Sequence, residues 1–167
     1  VVGDVTQLSE TLLAEDAALG EALLALNNAH EVELSRLDAG RLRHLVGQAF
    51  AGWCVGRGDA LLIAFDQDAE YDSVNFLWFR ARLERFVYVD RVVVAGHARG
   101  RGHARRLYEA LFARARAEGH DWVVCEVNMA PPNPGSDAFH EGLGFLQMGE
   151  GVVGGGVKRV RYLVRGV

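Results

Sequence analysis

The segment best equipped for chemistry reads Val92-Val93-Val94-Ala95-Gly96-His97-Ala98-Arg99-Gly100-Arg101-Gly102-His103-Ala104-Arg105-Arg106. A β-branched run precedes it and an amphipathic run follows, so it joins a strand to a helix. Gly100 and Gly102 let the backbone come close to a ligand. The first N–H groups of the helix lack intrahelical partners and carry partial positive charge. Such a terminus takes anions, phosphates commonly, and Arg99, Arg101, Arg105 and Arg106 surround it with charge. The alternative is a tight loop with solvated arginines. The spacing is neither a G-x-G-x-x-G dinucleotide fingerprint nor a phosphate loop ending in G-K-S/T. His97 and His103 have no Cys or acidic neighbour to complete a metal set, so no metal is expected. Cys54 and Cys125 lie in apolar stretches without an activating pattern and are expected to be buried, reduced thiols.

The flanking pattern supplies the elements that must position this loop. Ser9 to Leu26 is rich in Ala, Leu and Glu and predicts one helix capped by Ser9. Asp38 caps a second, with Leu42, Leu45, Val46, Ala49 and Phe50 on one face. Trp53–Gly56 and Ala60–Phe65 read as strands around a turn at Arg57-Gly58-Asp59. Asp66–Ser73 reads as a loop, and aromatic Asn75–Arg82 has no clear assignment. Phe86–Val94 is a strand. Ala104, Leu107, Tyr108, Leu111, Phe112 and Ala115 mark a helix ending at Gly119, and Trp122–Val127 is the next strand. The sum is a βαβ unit with a parallel pair. Pro131-Pro132-Asn133-Pro134 interrupts the chain, Ser136 caps a short helix to about Gly142, and Phe145–Val153 with Val157–Val164 forms a terminal hairpin.

Composition narrows the class. The chain has 167 residues, half of them hydrophobic, and a net charge of −4. It is long enough for one core without disulfides, and its acidity argues against a nucleic-acid partner. Of 18 basic residues only Lys158 is lysine, a bias that fits a GC-rich genome. No charged leader with an apolar core and no run of about 18 apolar residues occurs. No membrane partner and a cytoplasmic location are therefore expected. The sequence opens at Val1, which leaves room for a start upstream.

The Gly-rich loop resembles the coenzyme A loop of the Gcn5-related N-acetyltransferases (GNAT superfamily). Their Q/R-x-x-G-x-G/A signature reads Arg99-Gly100-Arg101-Gly102-His103-Ala104 here, with Val94 five positions before Arg99 as in that family. The downstream pattern N-x-x-A/S-x-x-x-Y-x-x-x-G-F is met by Asn133, Ser136, Gly144 and Phe145, with His140 where the family has tyrosine. Tyr71-Asp72-Ser73, Tyr88-Val89-Asp90-Arg91, Glu126-Val127-Asn128, Pro131-Pro132-Asn133-Pro134 and Phe139-His140 look like one bacterial branch of acetyltransferases. The resemblance implies an α/β (α+β) fold over 1–167 as a single domain. Its sheet would be mixed and mostly antiparallel, with a central splayed parallel pair and flanking helices. It implies acetyl transfer from acetyl-CoA to a primary amine in a ternary complex, and a homodimer as in many members. A non-catalytic acyl-CoA-binding module on the same fold is the alternative, and a different nucleotide-phosphate binder a third.

The site residues follow from the resemblance. The backbone of Val92, Val93 and Val94 would pair with the pantetheine arm, and Val94 N–H would polarise the thioester carbonyl. Arg99 and the N–H groups of Gly100, Arg101, Gly102, His103, Ala104 and Arg105 would hold the pyrophosphate. Asn133 and Ser136 would lie along the pantetheine. Glu126 is the candidate base, or else an ordinary strand residue, with Cys125 and Val127 on the opposite face. His140 is the candidate proton donor for the leaving thiolate, or a packing residue. Tyr108, among core-spaced residues, is a poor substitute. On the acceptor side, Tyr71, Phe76, Trp78 and Phe79 line the mouth or pack in the core. Asp72, Glu84, Asp90 and Glu126 would favour a cationic amine. Asp90-Arg91 reads as a structural ion pair or a substrate contact, and Asn27-Asn28 as a helix end or, alternatively, a substrate contact.

Overall fold

The computed structural model describes residues 5–167. Seven strands form one sheet: β1 Val5–Gln7, β2 Ala51–Val55, β3 Ala60–Asp66, β4 Phe86–Val94, β5 Trp122–Ala130, β6 Leu146–Val153 and β7 Lys158–Gly166. Their spatial order is β1-β2-β3-β4-β5-β7-β6. Only β4 and β5 are parallel; every other neighbouring pair is antiparallel. This is the mixed sheet with a central parallel pair that the sequence leads one to expect.

The helices are α1 Glu10–Glu15, α2 Ala17–Asn28, α3 Ala39–Gln48, α4 Val74–Arg80, α5 His103–Ala117 and α6 Pro134–Gly142. The single helix expected over Ser9–Leu26 is two. Asp16 leaves helical geometry at φ −116°, ψ 78°, and its carboxylate caps α2 by accepting from Leu19 N at 3.0 Å. Aspartate competes for backbone donors and so favours such breaks. Ser9 and Asp38 cap α1 and α3 as expected. Ala49 and Phe50 fall outside α3, because Ala49 turns extended at ψ 138°. The three-residue strand β1, too short to show a period, has no counterpart in the sequence reading. The unassigned aromatic stretch is α4, with Phe76 and Phe79 buried one turn apart. The cap of α6 is Asn133, whose Oδ1 accepts from Ser136 N at 3.3 Å, with Pro134 in the first turn.

The parallel pair holds for only three residues, Phe86–Tyr88 against Trp122–Val124. Against β3, the register steps from Ala64↔Val89 to Ile63↔Arg91, which leaves Asp90 as a bulge. A bulge bends its strand. Beyond it, Val92, Val93 and Val94 pair with Leu62, Leu61 and Ala60 on one side only, while β5 stays with β7. The strands splay and open a gap.

Alternation along β4 assigns its side chains to two cores. Phe86 and Tyr88 pack among the buried residues of α1–α4. Val87 and Val89 pack with Leu107, Tyr108, Leu111 and Phe112 of α5 on the other face. Cys54 and Cys125 are free, buried thiols. Among the described residues no helix is long and apolar enough to cross a membrane.

Candidate active site

A cleft of about 650 Å³ runs along the free edge of β4 to the start of α5. Val92, Val93, Val94, Arg99, Gly100, Gly102, His103, Ala104, Arg105, Asn133, Ser136 and His140 all line it. Arg101 is the one loop residue among the sequence candidates that does not. Gly100 and Gly102 have φ of +77° and +76°, the left-handed region that glycine tolerates. A Cβ built on either would meet nothing within 4 Å, so the loop faces open space. No side chain caps α5, so its first N–H groups remain available. These donors, the surrounding arginines and the unpaired edge of β4 fit an elongated ligand with a phosphate at one end. His103 is buried, with Nδ1 against the Arg106 guanidinium and Nε2 without a partner.

The cleft continues into a smaller cavity between the splayed strands. The two share Glu33, Leu34, Val92, Asn133, Ser136 and His140. The inner cavity reaches Val89, Asp90, Arg91, Tyr108, Cys125, Glu126 and Val127. Glu126 Oε1 accepts from Tyr88 Oη and from Asn75 Nδ2, each at 3.0 Å. Its Oε2 is buried without a partner. Burial pushes the Glu126 carboxyl up to about 7, opposed by the Tyr88 hydrogen bond and aided by the nearby Asp90 charge. Its strand neighbours Cys125 and Val127 pack on the α5 face, as alternation requires. Burial pushes the Cys125 thiol well up, which disfavours a thiolate.

His140 is buried at 4% exposure. Its Nδ1 lies 2.7 Å from Ser136 O, an acceptor only, so Nδ1 carries the proton. Nε2 then accepts from the Tyr108 hydroxyl at 2.7 Å. Burial lowers the His140 pKa below the ordinary 6.5 and keeps the ring neutral. Tyr108 is in the core, as its spacing suggests, yet it also lines the inner cavity and its hydroxyl meets His140. Helical periodicity marks a buried face but not the polar tip of a residue on it.

On the acceptor side, Phe76 and Phe79 are fully buried, and Trp78 stacks on Tyr162 at 4.0 Å. Tyr71 donates to Asp90 at 2.6 Å. The Asp90–Arg91 pair closes at 2.7 Å with both side chains buried, and Arg91 also donates to Asn27 Oδ1 and Ser35 O. Asn27 and Asn28 thus anchor the α2–α3 loop, Asn28 by two bonds to Leu37. Asp72 and Glu84 are exposed and line neither cavity. The functional candidate missed by sequence reasoning is Asn75. Its partner Glu126 is 51 positions away, and no local pattern joins them.

The acetyltransferase (GNAT) family model matches residues 28–145. No curated protein matches the chain. Among solved structures, the NatC complex bound to Gag peptide and CoA has a chain similar at TM-score 0.70 and 15% identity, covering 98% of this chain and 97% of that one. Arabidopsis thaliana NAA60 in complex with acetyl-CoA gives TM-score 0.70 and 15% identity, with 98% and 97% covered. The ribosomal-protein alanine N-acetyltransferase from Escherichia coli gives 0.67 and 15%, with 98% and 92% covered. At such identity these are likenesses of fold.

Proposed function

The chain belongs to the acetyltransferase (GNAT) family, and from that premise we propose that it moves an acetyl group from acetyl-CoA to a primary amine by direct attack in a ternary complex. One observation carries the reading: Glu126, a buried carboxyl with Oε2 left without a partner, lines the inner cavity of a cleft whose outer end is an uncapped helix N-terminus.

Bound acetyl-CoA would supply the thioester, whose carbonyl carbon bonds to the amine nitrogen as the thiolate departs. Arg99, Arg105 and the N–H groups of the Gly100–Arg105 loop are suited to the pyrophosphate. Arg101, outside the cleft lining, contributes through its backbone. The backbone of Val92–Val94 would hold the pantetheine arm as an added strand, with Val94 N–H toward the carbonyl and Asn133 and Ser136 along the arm. An alkylammonium with a pKa near 10.4 must lose a proton before it can attack. Glu126, held near neutrality by burial, is suited to accept that proton at Oε2, since a base works best poised near the working pH. We assign the donor role at the thiolate to the Tyr108–His140 pair rather than to His140 alone. The Tyr108 O–H proton, held by His140 Nε2 in this arrangement, would turn from Nε2 to the departing sulfur. The phenolate left behind would recover a proton from solvent as the thiol leaves, while Ser136 O keeps the imidazole in place through Nδ1.

Residues 1–167 would act as one domain in a bacterial cytoplasm, alone or as a homodimer. The test is thiol release from acetyl-CoA across a panel of amines, with Glu126→Gln and His140→Phe as controls. Tight CoA binding without thiol release for any amine would assign the chain to the non-catalytic acyl-CoA-binding alternative.

A further inference from the structure

We infer that α4 is a positioning element for Glu126, and that the chain of contacts Tyr162–Asn75–Glu126 decides which carboxylate oxygen is held by donors and which is left without a partner. The inference rests on Glu126 being the base. Three elements from distant parts of the sequence meet here. Tyr162 of β7 donates to Asn75 Oδ1 at 2.9 Å, and Asn75 Nδ2 donates to Glu126 Oε1 at 3.0 Å. A carboxylate takes only donors, which fixes the amide orientation of Asn75 and leaves its oxygen to the tyrosine. Tyr88 of β4 donates to the same Oε1. Both donors therefore hold one oxygen, and Oε2 is left without a partner.

The outer end of this chain is braced sterically. Tyr162 stacks on Trp78 of α4 with ring centroids 4.0 Å apart. Two glycines of β6 clear the space for that stack. A Cβ at Gly151 would come within 2.7 Å of the Tyr162 hydroxyl, and one at Gly149 within 2.7 Å of the Trp78 ring. Neither glycine has a positive φ. Their role in the strand is close approach rather than backbone freedom. A helix inserted between β3 and β4, a tyrosine on β7 and two bare positions on β6 thus converge on one side-chain amide. The titratable and charged groups around the carboxylate are Tyr88, Asp90 and Arg91 from β4, Tyr162 from β7, Tyr108 from α5 and His140 from α6. Cys125 flanks it on β5, and Glu33 lines the cavity from the α2–α3 loop.

The test uses the full chain and two variants, Asn75→Ala and Tyr162→Phe. The Glu126 side-chain carboxyl is titrated by carbon-13 NMR, and the pH profile of thiol release is measured in parallel. Losing the Asn75 donor removes a bond that favours the charged form. The Glu126 midpoint should then rise by about one pH unit in Asn75→Ala, and by less in Tyr162→Phe. The acidic limb of the rate profile should move with it, while KM for acetyl-CoA stays unchanged. Tyr162→Phe keeps the stack on Trp78, so it carries the test if Asn75→Ala does not fold. Midpoints that stay put or fall in the folded variants overturn the inference. A Glu126→Gln protein with full thiol release would instead remove the base reading, and the NMR titration would still decide the positioning.

Discussion

Replacing Glu126 with glutamine should stabilise the protein while it removes the proposed base. The carboxyl is raised from its ordinary 4.5 to about 7, chiefly by burial. Between those two values the folded state keeps a proton that the unfolded state has lost. Stability therefore falls as pH rises through that window, and the full penalty is present above about pH 7. Converted at 1.36 kcal/mol per pH unit, it is worth about 3 kcal/mol. Glutamine has nearly the same shape, can accept from Tyr88 and Asn75 at its own oxygen, and carries no charge. The variant should match the wild type near pH 4.5 and exceed it above neutrality. For a chain of this length the gain corresponds to a melting temperature higher by about 6–12 °C. Urea denaturation of the ligand-free protein at about pH 5 and about pH 8 measures the difference in each regime. A gain that is the same at both pH values, or a glutamine variant less stable above neutrality, would refute the argument from a buried, costly carboxylate. A gain confined to high pH, together with lost thiol release, would mark a site kept at the expense of stability.

Arg91→Ala strips Asp90 of its buried partner and should cost about 3–5 kcal/mol in urea denaturation. Gly102→Ala puts a side chain on a backbone at φ +76° where space is open. The cost is then conformational, about 1–2 kcal/mol, and calorimetry should record weaker CoA binding. Arg99→Ala and Arg105→Ala should weaken CoA binding more at low salt than at high, whereas Arg101→Ala, outside the cleft lining, should leave it near wild type. Tyr108→Phe leaves His140 Nε2 buried without a donor and should destabilise by about 1–3 kcal/mol, read by the same denaturation.

Much of this was legible from the order of residues. The strand Phe86–Val94 and the helix closing at Gly119 match their expected bounds, because a β-branched run and a 3.6-residue period are local signals. The Gly100 and Gly102 turn announced itself in the same way, since only a glycine enters the left-handed region cheaply. What went unread depends on competition between neighbours. Asp16 divides a run of good helix formers because its carboxylate wins a backbone donor. Asn133 takes the cap from Ser136 because it sits one place before Pro134. The helix α4 hid behind aromatic residues that suit a strand equally well.

The sequence by itself therefore determined the βαβ frame and the glycine turn at its centre, and its resemblance to the acetyltransferase family supplied the candidates Glu126 and His140. Each is carried by residues adjacent along the chain or spaced within one helix or strand. Only the tertiary structure decided how those candidates are held. Asp90 bulges and parts β4 from β5, which opens the cavity. Tyr108 meets His140 across 32 positions, and Asn75 meets Glu126 across 51. Burial and hydrogen bonding then set the protonation state of each group, and both arise from chain segments that become neighbours only when the sheet assembles.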